Sequence, residues 1–304
     1  MSQEYQLIIL GGGPAGLAAG IYAARNKINT LLIEKAMIGG LAVYAESIEN
    51  YPGFPDGVGG MDLGQLMLKQ AEKFGLNTQM SEVSNLTIRG QQKVVMTTEG
   101  ELTARSVIIA LGSERINLNV PGEKEFVGRG VSYCATCDAA FFREKPVAVV
   151  GGGNSAVSEA LHLAKFASKV SIIHRREQFR ATPVFLDKAK AEPKISFITN
   201  NTVETIQGRN EVENLQLRSC LNGQMSTLPV SGVFIAIGQR PNTDFLKGLI
   251  PLDANGYIIT NEKMETAVPG VLAAGDIRSN SIRQTISAAG DGATAAIYAG
   301  RYLG

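Results

Sequence analysis

The chain has 304 residues, 44% of them hydrophobic, with 29 Lys and Arg against 28 Asp and Glu and a net charge of +1. That length is long for one core and comfortable for two, and the scattered, balanced charge leaves no electrostatic footprint for nucleic acid or an anionic membrane. Three cysteines are too few for a disulfide scaffold. Met1-Ser2-Gln3-Glu4 has no basic n-region and no apolar run approaches the roughly 20 residues that cross a bilayer, so a soluble, cytoplasmic protein is expected.

Tyr5 to Leu10 is a short apolar run, followed by Gly11-Gly12-Gly13-Pro14-Ala15-Gly16, a helical stretch from Leu17 to Arg25, and a second run, Thr30 to Ile33, ending at Glu34. This order is a βαβ unit with GxGxxG at its first turn. Gly11 makes the turn, Gly13 lets the backbone approach a pyrophosphate, and Gly16 lets helix and strand pack. The helix N-terminus offers free amides and a positive dipole to the phosphates. Glu34, about 18 residues beyond Gly16, stands where a carboxylate accepts hydrogen bonds from a ribose diol. A glycine-rich turn that merely packs tightly is the alternative reading.

Short alternating segments follow, Val83 to Arg89 and Lys93 to Thr98, then a buried strand, Val107-Ile108-Ile109-Ala110-Leu111-Gly112. Asn117 to Gly122 interrupts the periodic sequence and reads as a hinge. Beyond it lies Cys134-Ala135-Thr136-Cys137-Asp138, with Phe141-Phe142 close behind. Such a pair is a redox disulfide, half a zinc site, or two unrelated buried thiols. Zinc takes four ligands, and besides the pair the chain offers only Cys220, His162 and His174, so no metal is expected. A redox pair needs an electron source, a proton partner and access for a second disulfide. Asp138 supplies a carboxyl able to move protons if apolar surroundings raise its pKa, and Cys220 reads as a structural or surface thiol.

The βαβ pattern then returns. Pro146 to Val150 leads into Gly151-Gly152-Gly153-Asn154-Ser155-Ala156, a helix to about Phe166, a strand from Val170 to Ile173, and His174-Arg175-Arg176 with Arg180. Guanidinium groups replace the carboxylate of the first unit, and such forks bind a 2′-phosphate bidentately, so this site reads as NADP(H). A solvated basic helix start is the alternative. Ser196 to Thr199, Val212 to Leu217 and Val233-Phe234-Ile235-Ala236-Ile237-Gly238 repeat the trailing strands of the first module. Gly238 to Thr243 reads as a second hinge. Gly270-Val271-Leu272-Ala273-Ala274-Gly275-Asp276 looks like a strand, turn and carboxylate returning to the first module, which makes the second an insertion. Asp276 is placed to bond a ribityl chain, or else to N-cap a helix from about Gln284 to Arg301.

Taken together, Gly11 to Gly16, Glu49-Asn50-Tyr51-Pro52-Gly53-Phe54, Cys134 to Asp138, Gly151 to Ala156, His174-Arg175-Arg176 with Arg180, and Ala274-Gly275-Asp276 with Arg283-Gln284 resemble the low-molecular-weight thioredoxin reductases along essentially the full length. The resemblance implies an α/β fold of two Rossmann-like three-layer dinucleotide-binding domains. An FAD domain spans 1–116 and 245–304, and an NADPH domain, 117–244, carries the cysteine pair. It also implies a homodimer, domain rotation during turnover, and thioredoxin or a thioredoxin-like protein as partner.

Carried over by residue, the resemblance makes Cys137 the flavin-proximal sulfur, Cys134 the thiolate that attacks the protein substrate, and Asp138 the acid/base. The cofactor-binding set is Gly11, Gly13, Pro14, Ala15, Gly16, Glu34, Lys35, Gly40, Leu41, Asn50, Val83, Gly112, Gly153, Asn154, Ser155, His174, Arg175, Arg176, Arg180, Ile237, Gly238, Gly275, Asp276, Arg283 and Gln284. Arg129, Phe141 and Phe142 match partner-contacting positions, with core packing of the phenylalanines as the alternative. Two positions depart from the pattern. Leu41 stands where Gln is usual, so one polar flavin contact is lost or replaced, and Ala139 stands where Gly is common, so a methyl is expected to restrict φ there. A flavoprotein oxidase or ferredoxin-linked reductase, and a non-catalytic redox sensor, remain alternatives at this level.

Overall fold

The computed structural model describes residues 3–45 and 47–304; Met1 and Ser2, which bear on the expected lack of a targeting segment, lie outside them. The chain divides into two compact units, Met1–Glu114 with Arg240–Gly304, and Arg115–Gln239. In chain order the first unit opens with β1 (Gln3–Leu10), α1 (Pro14–Arg25), β2 (Thr30–Glu34), α2 (Gly60–Lys73), β3 (Asn77–Met80), β4 (Val83–Arg89), β5 (Gln92–Thr97) and β6 (Gly100–Ile109). A crossing strand β7 (Ser113–Arg115) leads to β8 (Val131–Ser132), α3 (Ala135–Asp138), β9 (Pro146–Val150), α4 (Asn154–Leu163), β10 (Lys169–His174), α5 (Pro183–Ala191) and β11 (Ile195–Thr199). Then come β12 (Asn201–Gly208), β13 (Val212–Ser219), β14 (Met225–Pro229) and β15 (Gly232–Ile235), the return crossing β16 (Gln239–Pro241), and finally β17 (Val271–Ala273) and α6 (Thr285–Leu303). The two crossings, β7 and β16, pair as a two-stranded ribbon.

In the first unit the sheet runs β3-β2-β1-β6-β5-β4, with β17 also on β6. β1 lies parallel to β2 and β6, and β4, β5 and β6 form an antiparallel meander. Leu7 to Leu10 are each 0% exposed because this parallel strand is covered on both faces. Leu7 and Ile9 pack with the helices, while Ile8 and Leu10 pack with Leu246, Ile250 and Ile258 on the other side. This two-residue alternation defines three layers. Residues 240–244, which the expected boundary at 244 places in the second domain, are held to the first unit by Asn242, whose side chain donates to the Leu111 oxygen at 2.9 Å, and by Thr243, whose hydroxyl donates to the Gly256 oxygen at 2.7 Å.

The second unit repeats the plan with a parallel sheet ordered β11-β10-β9-β15-β8 and a separate antiparallel sheet, β12-β13-β14. Val147 and Val149 pack with α4, whereas Ala148 and Val150 pack with Val203, Ile206, Leu215 and Leu217. α4 stops at Leu163, short of the expected Phe166. Its last turn opens where the Lys194 ammonium donates to the carbonyls of Ala164 and Ala167 at 3.0 and 2.9 Å, satisfying acceptors that further helix would have used.

Candidate functional site

At the end of β1, Gly11 has φ +104°, and a Cβ there would lie 2.4 Å from the Ala110 carbonyl oxygen. A Cβ on Gly16 would lie 1.8 Å from the Gly11 oxygen, so its role is close packing of helix on turn. Gly13 is the N-cap of α1 and has no side chain to bond the first-turn amides, which leaves them facing outward. Glu34, at the end of β2, accepts the Gly12 amide on Oε2 at 2.7 Å and the Ala36 amide on Oε1 at 2.9 Å. That pins the carboxylate beside the turn with lone pairs to spare. Gly40 and Gly275 close in on the same helix end: their Cβ atoms would lie 2.9 Å from Gly13 Cα and Ala15 Cβ respectively.

Asn50 donates to the Gln284 side chain at 3.0 Å, which joins two of the expected cofactor residues. Asp276 accepts the Ser281 hydroxyl at 2.9 Å, and Arg283 donates to the Tyr257 hydroxyl at 3.0 Å. Asp276 does not cap α6; Gln284 does, in a reciprocal box with Ser287. Lys35 turns to Glu114 at 3.5 Å, Val83 starts β4 opposite Thr97, and Leu41 is exposed on the 3-10 turn Gly40–Tyr44. Gly112, with φ +62°, has open space where a Cβ would point. Free helix amides, a fixed carboxylate and side-chain-free walls fit the pyrophosphate and ribose of FAD.

The second unit builds the same end differently. Gly153 is the N-cap of α4 without a side-chain cap, and a Cβ there meets nothing within 4 Å, leaving room in front of the amides. Asn154 Oδ1 accepts the Thr182 amide at 2.8 Å, and Ser155 is exposed on the first turn. The His174 ring covers Gly152, whose Cβ would lie 2.3 Å from it, and packs on Phe179 at 4.9 Å. Burial lowers the His174 pKa; a bond at the Gln178 backbone opposes this, and the charges of Arg180, Arg175 and Arg176 add to the lowering. His174 Nε2 has no hydrogen-bond partner among the described residues.

Arg175, Arg176 and Arg180 are exposed, and none forms an ion pair among the described residues. The Arg180 amide donates to the Gly152 oxygen at 2.7 Å, so the backbone itself brings that arginine to the glycine turn. Three uncompensated guanidinium groups and an open glycine fit a nucleotide carrying a 2′-phosphate. Ile237 packs on the core of this unit, and Gly238, at φ +122°, leads into the crossing.

Between β8 and β9, Cys134 and Cys137 form a disulfide with Cα atoms 5.3 Å apart. Cys134 is the N-cap of α3, and its Sγ accepts the Cys137 amide at 3.2 Å. Cys134 is half-buried and Cys137 exposed, the reverse of the order that an outward Cys134 and an inward Cys137 imply. Asp138 is half-buried; its Oδ2 accepts the Ser132 hydroxyl at 2.6 Å, and that hydroxyl accepts the Cys134 amide at 3.1 Å. Burial raises the Asp138 pKa, while the Ser132 bond and the Arg115 charge pull it down. Arg115 lies 4.8 Å over the Tyr133 ring, and the Tyr133 hydroxyl donates at 2.9 Å to the buried Glu123.

Ala139 has φ −55° and ψ −33°, ordinary for alanine, and is buried at 2%; the expected restriction by its methyl is absent. Phe142 corrects another expectation. At 8% exposure it packs edge-on to Phe234 at 5.2 Å, above Gly232, so it belongs to the core, and the outward aromatic is Phe141, 49% exposed. Arg129 donates to the Glu125 oxygen of its own loop at 2.6 Å and to the Asn210 oxygen of the β12–β13 turn at 3.2 Å. Cys220 is an exposed free thiol.

Ser132, Arg115, Tyr133 and Glu123 had no motif to mark them. Glu159 had none either; it sits one turn beyond Ser155 on α4, where burial pushes its carboxyl up to about 7. Among the described residues no cluster of His, Cys, Asp or Glu could hold a metal ion, and no helix is long and apolar enough to cross a membrane.

The sequence matches the pyridine nucleotide-disulphide oxidoreductase family over residues 5–292. It is 43% identical over 301 residues to the bifunctional thioredoxin reductase/thioredoxin of Mycobacterium leprae, an alignment covering 98% of this chain and 66% of that protein. It is 43% identical over 309 residues to the thioredoxin reductase of Peptoclostridium acidaminophilum, covering 100% and 98%. The crystal structure of thioredoxin reductase from Streptococcus pyogenes superposes with a TM-score of 0.95 at 41% identity, covering 100% of this chain and 99% of that one.

Proposed function

The chain belongs to the pyridine nucleotide-disulphide oxidoreductase family, and we propose that it is an NADPH-dependent reductase of thioredoxin or a thioredoxin-like protein. The observation that carries this reading is the Cys134–Cys137 disulfide, in the same unit as a nucleotide turn ringed by three unpaired arginines. The chemistry FAD supplies when bound is two-electron exchange between a nicotinamide hydride and a disulfide. Glu34 and the α1 amides hold its adenosine diphosphate half, and Arg175, Arg176 and Arg180 select the phosphorylated nicotinamide.

Once the pair is reduced, the Cys137 amide stabilises a thiolate on Cys134. Cys134 attacks the substrate disulfide, forming a mixed disulfide and releasing the other substrate sulfur as a thiolate that takes a proton from Asp138. Cys137 then gives its proton to Asp138 and attacks Cys134, closing the internal disulfide and freeing the second substrate sulfur, which takes that proton. The sum is NADPH, one proton and a protein disulfide giving NADP⁺ and a dithiol. The assignment of Cys134 as the attacking sulfur rests on this hydrogen bond and on the family pattern, not on exposure. On the same reading the enzyme works as a cytoplasmic homodimer, which light scattering of the purified protein tests for its oligomeric part.

The deciding assay mixes purified flavoprotein, NADPH and oxidised thioredoxin and counts thiols formed. Two thiols per NADPH over many turnovers, with NADH much poorer, are expected. NADPH oxidation that consumes oxygen and yields no thiols would identify an oxidase instead, and a single turnover would identify a redox sensor.

A further inference from the structure

We propose that Ser132 is a positioning residue of the redox centre, with Arg115 as its electrostatic counterpart. One hydroxyl, on the last residue of β8 and 5% exposed, receives the Cys134 amide at 3.1 Å and donates to Asp138 Oδ2 at 2.6 Å. The backbone of the first cysteine and the neighbouring acid are thereby fastened to a single atom, and β8 holds that atom by its parallel pairing to β15, where Ser132 lies opposite Phe234. Loss of the hydroxyl frees both groups at once.

Arg115 enters from the segment that begins this unit. Its guanidinium stacks on Tyr133, the residue before Cys134, and the Tyr133 hydroxyl is anchored on Glu123. Glu123 in turn accepts the amides of Leu118 and Asn119 at 2.9 and 2.6 Å, so residues 115–123 are laced to the strand end that carries the cysteines. The Arg115 charge favours the ionised form of Asp138, and α4, packed against α3, brings Glu159 and His162 to the same side of this unit. A hydroxyl donor and a cation both favour the ionised carboxylate, against burial, which favours the acid. Between them Ser132 and Arg115 set the pH at which Asp138 gives up its proton.

This inference deepens the proposed function and rests on it only for what Asp138 does in turnover. The test uses the oxidised flavoprotein, in which the paired cysteines do not titrate, labelled with ¹³C at the Asp carboxyls and assigned by Asp138→Asn. In Ser132→Ala the Asp138 titration midpoint is expected to rise by about one pH unit, the scale of one lost hydrogen bond to a carboxylate. In Arg115→Gln it is expected to rise by less, and Ser132→Thr is expected to keep the parent midpoint. The pH dependence of disulfide reduction moves with the midpoint. An unmoved midpoint in both Ser132→Ala and Arg115→Gln overturns the proposal, as does a Ser132→Thr midpoint displaced as far as that of Ser132→Ala. Because the titration needs neither NADPH nor thioredoxin, it stands if the substrate assignment fails, and a failed titration leaves that assignment untouched.

Discussion

The backbone amide of Cys137 donates to the Sγ of Cys134 at 3.2 Å, so the two sulfurs of one small disulfide are not equivalent. An N–H aimed at sulfur stabilises the thiolate, and here it is aimed at one sulfur of the pair. Cys134→Ser and Cys137→Ser are each expected to lower thioredoxin reduction by about three orders of magnitude or more, because the two act as a unit. Only Cys137→Ser is expected to hold a stable mixed disulfide with a chromogenic aromatic disulfide or with thioredoxin, detected by intact-protein mass. Stable trapping in Cys134→Ser instead would exchange the two roles.

The glycines of the two turns separate into those that pack and those that leave room. Gly16→Ala places a methyl carbon 1.8 Å from the Gly11 oxygen and is expected to prevent flavin retention. Gly153→Ala meets nothing within 4 Å, at a φ of −97° that alanine adopts readily. It is expected to leave the unfolding temperature unchanged while raising the KM for NADPH about tenfold, the effect of one obstructed charge-assisted contact. An unaltered KM would mean that the phosphates do not approach this turn.

Much of this arrangement was legible in the sequence wherever it depends on neighbours along the chain. The turn at Gly11, the helix that follows it and Glu34 at the next strand end are fixed by local spacing, and so is the arginine cluster after β10. Ser132 was not legible. Its strand has two residues, too short to show a period, and although its bonds reach only to Cys134 and Asp138, the strand that seats it pairs with β15, about a hundred residues later. Phe142 was misplaced for the same reason: two adjacent phenylalanines carry no sign of which one meets Phe234. The second crossing falls at 239–240 rather than 244 because Asn242 and Thr243 bond to the oxygens of Leu111 and Gly256 in the first unit, tertiary contacts with no local marker.

Among the described residues Arg175, Arg176 and Arg180 carry no ion-pair partner that would have to be broken before a phosphate binds. Replacing Arg176 or Arg180 by Gln is expected to raise the KM for NADPH about tenfold per residue and leave that for NADH within about a factor of two. Steady-state kinetics with both nucleotides checks this. In the parent, NADPH binding should weaken with added salt more steeply than NADH binding, because only the former engages the extra phosphate charge.

Glu159 makes stability depend on pH with a definite sign. Its carboxyl has a reference pKa of 4.5 and is pushed up to about 7 by burial, with no compensating partner for Oε2 among the described residues. Well below pH 4.5 the group is neutral whether the chain is folded or not, and it adds no pH dependence there. As pH rises from there through about 7 the unfolded chain ionises first, so stability falls and then levels off, by about 3 kcal/mol in all. Glu159→Gln keeps the shape and removes the titration. Its unfolding temperature is expected to exceed that of the parent by a few degrees at pH 8 and to match it at pH 4.5, measured calorimetrically on the flavoprotein at fixed flavin. Equal differences at both pH values would mean that folding leaves the Glu159 pKa unshifted.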